Sequence, residues 1–202
     1  MTEKSYETGQ KGVVRRVALL DLARRALIDD GYDRFILREI ANRADMKLGN
    51  LQYYFPTRED LLEAVIADEF DRDLAVVREL ALNAPTAESA LRAACETLVL
   101  TWSGQSGKLW VVLSFLSMHN TRFNDVRTRI YAGFYAELAT ILAKLRPSSD
   151  KESRLLATQL ITSLIDGAAM QLHVGASGYS KRQARRLLDE VLQTVIEIAR
   201  RA

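Results

Sequence analysis

The sequence predicts an all-α fold of about nine helices, and three observations carry that expectation. Leu, Ala, Arg and Glu dominate the composition, only three prolines and ten glycines punctuate it, and apolar residues recur at helical spacing along nearly the whole chain. At 202 residues the chain can build one sizeable core, or a small domain joined to a larger one with a buried cavity. The formal net charge of +2 is too small to name a partner. Residues 1–58, however, hold eleven Lys/Arg against eight Asp/Glu, a local surplus of the sign that phosphate contact requires.

Residues 1–12 are polar, carry no apolar signal core and read as a disordered arm. Val17, Leu20, Ala23 and Leu27 set the stripe of a first helix over about 13–30, closed at Gly31-Tyr32. Leu37, Ile40, Ala41 and Ala44 mark a short second helix, and Leu51, Tyr54 and Phe55 a very short third. Neither is long enough to stand alone, so the three pack together. Thr57 caps a fourth helix with Asp60 in its first turn. The stripe Leu62, Ile66, Phe70, Leu74, Val77 and Ala81 carries it to about residue 82, a connecting rod of roughly 35 Å.

Thr86 caps a fifth helix bearing Leu91, Ala94, Cys95, Leu98 and Trp102, which the glycines of 103–107 break. Leu109 to Met118 is apolar nearly all round, which places the sixth helix in the middle of a domain. The seventh runs from Phe123 to Leu145 and stops at Pro147. Ser149 with Glu152 opens an eighth that reaches about Val174. After a loop at Gly175 to Gly178, Ser180 with Gln183 opens the ninth. Its apolar arc exceeds the roughly 100° that one core requires. Leu188, Val191, Leu192, Val195 and Ile196 are therefore expected at a subunit interface, with Leu164 and Gly167 of the eighth helix beside them.

Ile36 to Phe55 has the makeup of a helix-turn-helix. Small Ala41 lets two helices approach, Ile40, Ala44, Met46 and Leu51 fill their shared core, and the tight turn falls at Asp45, one of the few residue types that tolerate a left-handed backbone. The third helix then offers Lys47, Leu48, Gly49, Asn50, Gln52 and Tyr53 to base edges and phosphates, with Tyr54 behind them. The alternative has Arg38 and Lys47 merely solvating a helical face and Tyr54 and Phe55 filling the core.

Leu20-Asp21-Leu22-Ala23, Gly31-Tyr32, Ile40-Ala41, Ala44, Gly49, Leu51, Tyr54-Phe55 and Arg58-Glu59-Asp60-Leu61 together resemble the N-terminal signature of TetR-type regulators, over about the first third of the chain. The resemblance implies a helix-turn-helix domain at 13–57 and a ligand-binding and dimerisation domain at 58–202, with the helix at 58–82 as connector. It implies a cytoplasmic homodimer, most simply a repressor, bound to a palindromic double-stranded operator and released by a small-molecule effector. Carried over by position, Arg38 is a base-edge contact and Arg58 a phosphate contact. Phe35 and Ile36 stand where the family often has capping threonines, Lys47 replaces a common Ser/Thr cap, and Gln52 replaces a phosphate-binding tyrosine.

In the C-terminal domain, polar and aromatic groups set among apolar neighbours are candidates for the effector pocket. They are Trp102 on the fifth helix; Trp110, Ser114, Ser117, Met118 and His119 on the sixth; Tyr131 and Phe134 on the seventh; and Gln159, Thr162, Ser163 and Asp166 on the eighth. Plain core packing is the competing reading for each aromatic. Trp110 to His119 and Ile165-Asp166-Gly167 faintly resemble the family's regulators of choline-to-betaine metabolism, which implies a quaternary ammonium held by cation-π attraction beside an acid.

An enzyme is not expected. His119 and His173 are far apart, Cys95 lies in an apolar helix, and neither a metal-ligand spacing nor a phosphate-cradling glycine loop occurs, so no cofactor is expected either. One cysteine forms no intrachain disulfide, and no stretch approaches the roughly 20 apolar residues of a membrane span. A helical architectural or adaptor protein that binds DNA without a ligand remains the alternative.

Overall fold

In the computed structural model, which describes residues 3–173 and 178–201, the described residues form nine α-helices and one 3-10 turn. They are α1 (Glu3–Asp30), the turn Tyr32–Arg34, α2 (Leu37–Arg43), α3 (Leu48–Tyr54), α4 (Arg58–Asn83), α5 (Ala87–Trp102), α6 (Gly107–His119), α7 (Thr121–Leu145), α8 (Lys151–Leu172) and α9 (Lys181–Arg201). The all-α expectation is met. The chain divides into two compact units, Met1–Glu69 and Phe70–Ala202, with the division inside α4.

In the first unit, Leu20, Ala23 and Leu27 of α1, Phe35 just after the 3-10 turn, Ile40 and Ala41 of α2, Leu51, Phe55, and Leu62 and Ile66 of α4 are buried. Arg24 of α1 grips Glu69 of α4 with two hydrogen bonds, one of 2.6 Å from Nη2 to Oε1. This pairing keeps the first turns of α4, which the sequence pattern groups with the following domain, in the first unit. Helix α1 is described from Glu3, ten residues ahead of the expected start. No proline interrupts residues 3–12, and their Lys, Glu and Gln are good helix formers. Val17, expected in the stripe, is half exposed; Leu19 and Ala26 supply that packing instead.

The second unit packs α8 on α5, α7 and α9, with α9 also on α5 and α6 against α7. Three expected caps occur. Thr57 exchanges hydrogen bonds with Asp60, Thr86 with Ser89, and Ser180 with Gln183. The cap of α8 lies one residue later than the Ser149–Glu152 box: Asp150 accepts from the Ser153 N–H at 2.8 Å. Val174 to Ser177, which include most of the expected last loop, lie outside the described residues; Gly178 has φ of 58°.

Two burial patterns differ from what the sequence pattern suggests. Helix α6 is not enclosed: Leu109, Leu113 and Leu116 are buried, but Val111, Phe115 and Met118 face outward, Met118 at 71% exposure. Leu188, Val191, Leu192, Val195 and Ile196 of α9 are already buried within the single chain. Their wide arc is consumed by α5, α7 and α8, three partners in the same unit. Helix α8, by contrast, turns Leu155, Leu156, Leu160 and Met170 outward, with half-exposed Leu164 and open Gly167 on the same helix. By length and composition α8 could cross a membrane, but its inner face, with Ile161, Thr162 and Ile165, is core.

Candidate nucleic-acid interface and ligand cleft

The turn between α2 and α3 is built as the sequence indicates. Asp45 holds φ at 48°, its N–H reaches the Asn42 carbonyl at 3.1 Å, and the Met46 N–H reaches the Ala41 carbonyl at 3.0 Å. With Ile40, Ala41, Leu51 and Phe55 buried beneath it, α3 turns Lys47, Gly49, Asn50, Gln52 and Tyr53 to the surface, Tyr53 at 83% exposure. Leu48 and Tyr54 are half buried, and the Tyr53 and Tyr54 rings meet edge to face at 5.2 Å. Arg38 of α2 is exposed. Ile36 and Lys47 occupy the N-cap positions of α2 and α3 with no side-chain cap bond, the local consequence of lacking Ser or Thr there. A shallow cleft of about 270 Å³ adds a residue that the sequence pattern does not single out: Arg15 of α1 lines it with Met46, Asn50, Tyr53 and Tyr54.

Arg58 is committed elsewhere. Its Nε donates to the Phe35 carbonyl at 2.7 Å, its Nη2 to the Tyr32 carbonyl at 2.6 Å, and its guanidinium lies 4.2 Å from the Tyr32 ring centroid. These bonds use two of the five guanidinium N–H donors and hold the side chain against its own unit. The geometry makes Arg58 the brace that closes the loop between α1 and α2.

Of the twelve candidate pocket residues, three line one cleft. Tyr131 of α7 and Ser163 and Asp166 of α8 share about 470 Å³ with Arg127, Thr128, Ala132 and Tyr135 of α7. Trp110 stands behind them: its Nε1–H donates to the Tyr131 hydroxyl at 3.3 Å, and that hydroxyl donates to Asp166 Oδ2 at 2.6 Å. A hydrogen-bonded chain thus joins α6, α7 and α8. Burial raises the Asp166 pKa to about 6, against the Tyr131 hydrogen bond and the Arg127 charge, which both lower it. Burial and the neighbouring Asp166 charge push the Tyr131 phenol up, and Tyr135 likewise.

The other candidates are placed apart from this cleft. Trp102 and Phe134 form an edge-to-face cluster with Phe70, and the Trp102 Nε1–H is held by Asp73 at 2.7 Å; this is core packing. The Thr162 and Ser117 hydroxyls, like that of Ser163 in the cleft, turn back to carbonyls of their own helices, as Ser and Thr do in helix interiors. Ser114 is half buried and Gln159 exposed. Met118 and His119 lie on the outer side of α6, where the His119 ring meets Phe115 at 5.3 Å. Arg127 and Tyr135 are not among the sequence candidates, although the spacing Arg127, Tyr131, Tyr135 at every fourth residue of one helix is a readable signal. Cys95 is fully buried, and its thiol is pushed up to about 12, which makes it an inert packing group.

Two family models cover most of the chain. One for bacterial regulatory proteins of the tetR family matches residues 19–65, and one for the BetI-type transcriptional repressor C-terminal domain matches residues 85–197. The chain belongs to the TetR family. Its relatives include an HTH-type transcriptional regulator in the dhlA 5' region of Xanthobacter autotrophicus, 30% identical over 165 residues, which cover 80% of this chain and 81% of that one. The BetI regulator of Burkholderia thailandensis is 27% identical over 191 residues, 91% of this chain and 94% of that protein. Among solved structures, a TetR regulator from Haloarcula marismortui superposes with a TM-score of 0.76 at 16% identity, covering 93% of this chain and 97% of that one. FadR from Bacillus subtilis, solved with stearoyl-CoA, gives 0.72 at 20%, covering 88% and 96%. These two share the fold. The TetR-family regulator is therefore a helix-turn-helix DNA-binding repressor of the BetI type and not an enzyme.

Proposed function

We propose that this TetR-family regulator acts in the cytoplasm as a homodimer that binds a palindromic operator and is released by a small molecule entering the cleft of its second unit. The observation that carries the reading is the α3 surface. Lys47, Asn50, Gln52 and Tyr53 stand exposed on a buried three-helix core, joined by Arg38 and Arg15, which supplies donors and flat rings where base edges and phosphates would lie. Lys47 and Gln52 then take over contacts that other members give to Ser/Thr and tyrosine. The outward apolar residues of α8 favour self-association, since Leu156, Leu160, Leu164 and Gly167 recur at spacings of four, four and three. Release runs through α4, which is one continuous helix shared by both units. Two recognition helices must enter successive major grooves about 34 Å apart, so a ligand that moves α4 spoils the spacing.

In vitro selection from random duplexes tests this reading. An inverted repeat with half-sites about ten base pairs apart, centre to centre, or a multiple of that, is the expected product. Recovery of unrelated sequences with equal affinity would replace it with the ligand-free architectural role.

A further inference from the structure

The cleft between α7 and α8 holds two buried polar atoms whose demands are opposite. Asp166 uses Oδ2 on the Tyr131 hydroxyl at 2.6 Å, while Oδ1 is buried with no donor. Arg127 spends Nη2 on Asn124 Oδ1 at 3.3 Å, while its Nε–H is buried with no acceptor. Both side chains line the same cleft of about 470 Å³, yet neither oxygen nor nitrogen satisfies the other. An unsatisfied buried group costs about 1–3 kcal/mol and more when charged, so a native fold that keeps two on side chains lining one cleft has a reason to keep them. The molecule that relieves both carries an N–H donor of positive charge and an acceptor of negative charge.

We propose that the cleft binds a small ammonium carboxylate, an amino acid or short ω-amino acid, with an N–H on Asp166 Oδ1 and its carboxylate on Arg127 Nε. The Tyr131 and Tyr135 rings, 5.9 Å apart and inclined at 60°, supply the apolar wall for the intervening methylenes. This inference rests on the effector-released reading above and names the class of ligand. It also separates two cations that an aromatic site with an acid would otherwise treat alike. A quaternary ammonium brings charge for the rings but no N–H, so it leaves Asp166 Oδ1 without a donor.

Matched pairs test the distinction on the full-length wild-type chain at neutral pH by calorimetry: glycine against glycine betaine, γ-aminobutyrate against γ-butyrobetaine, and ethanolamine and choline as partners without a carboxylate. At least one ammonium carboxylate is expected to bind about tenfold or more tightly than its trimethylated counterpart and than ethanolamine. Arg127→Met and Asp166→Asn should each weaken that binding by about tenfold or more while melting cooperatively. Equal or tighter binding of the trimethylated compounds, no binding by any member up to about 10 mM, or indifference to Arg127→Met would overturn the proposal. Operator binding by the same preparations, followed by anisotropy, reads the regulator function separately. Release by choline but not by an amino acid sinks the ligand class and leaves the regulator standing, whereas failure to select any operator sinks the regulator.

Discussion

At the scale of single residues, the burial of Asp166 costs stability at neutral pH. Its folded pKa of about 6 exceeds the unfolded 3.8, so between those values the folded chain holds more protons, and stability falls as pH rises through 6. Besides burial, the groups acting on it are the Tyr131 hydroxyl, through its hydrogen bond, and the Arg127 charge, both on α7. Asp166→Asn keeps an acceptor for the Tyr131 hydroxyl and removes the buried charge. It should therefore raise the ligand-free stability by up to ~3 kcal/mol at pH 7 and by nothing near pH 4, measured by urea unfolding at both values. A mutant less stable at pH 7 would mean that the carboxylate is satisfied after all. Arg58 and Arg38 part company in a second measurement. With Arg58 bonded to two carbonyls, Arg58→Ala should lower stability by about 2 kcal/mol and leave the salt dependence of operator binding nearly unchanged. Arg38→Ala should leave stability unaltered and relax sequence preference in a competition between operator variants.

At the scale of elements, the start of α6 leaves no room for a side chain at Gly107. A Cβ on Gly107 would fall 1.9 Å from the Trp102 carbonyl oxygen and 3.1 Å from His173 Nδ1, and the first of these is backbone that cannot step aside cheaply. Gly107→Ala should cost about 3 kcal/mol in chemical unfolding, whereas Gly167→Ala, with open space around it, should raise the stability of the isolated subunit by about 1 kcal/mol. The ends of elements were the most readable part of the sequence, because capping is local: Thr57 with Asp60, Thr86 and Ser180 with Gln183 announce themselves within four residues, and Asp45 was identifiable as the turn because few other residues tolerate its backbone. What a helix faces is not local. The arc of α9 is wide for one partner but ordinary for three, and nothing in residues 181–201 says that α5, α7 and α8 all reach it. The Arg58 brace was hidden for the same reason, since its acceptors are backbone carbonyls, which carry no sequence signal. The cleft is half visible, through Tyr131, Ser163 and Asp166, while Arg127 is set apart from the other cations only by its spacing to Tyr131 and Tyr135.

At the scale of the whole molecule, the outward row of α8 and the surface of α3 make a linked prediction. A helix-turn-helix unit that touches one half-site gains only a few contacts; two held together gain both sets for a single loss of rigid-body freedom, so affinity rests on the subunit contact as much as on the bases. Leu156 and Leu160 are one turn apart on α8 and half exposed, so a charge at Leu160 costs the isolated subunit little but is expensive once a second apolar helix covers it. Leu160→Glu should therefore give a folded monomer by sedimentation, with unchanged helical circular dichroism, and lose operator affinity by about a hundredfold or more. Val195→Asp on α9, which a reading of the sequence alone would choose for the same purpose, should instead unfold the subunit, because Val195 is fully buried in its own core. The pair of variants distinguishes the two helices directly: if Val195→Asp yields a folded monomer while Leu160→Glu remains dimeric, the interface belongs to α9 and the outward row of α8 serves something else. Because the cleft lined by Tyr131 and Asp166 is formed by α7 and α8 of one subunit, the Leu160→Glu monomer should still bind its ligand, leaving Trp110 fluorescence as a reporter when operator binding has gone.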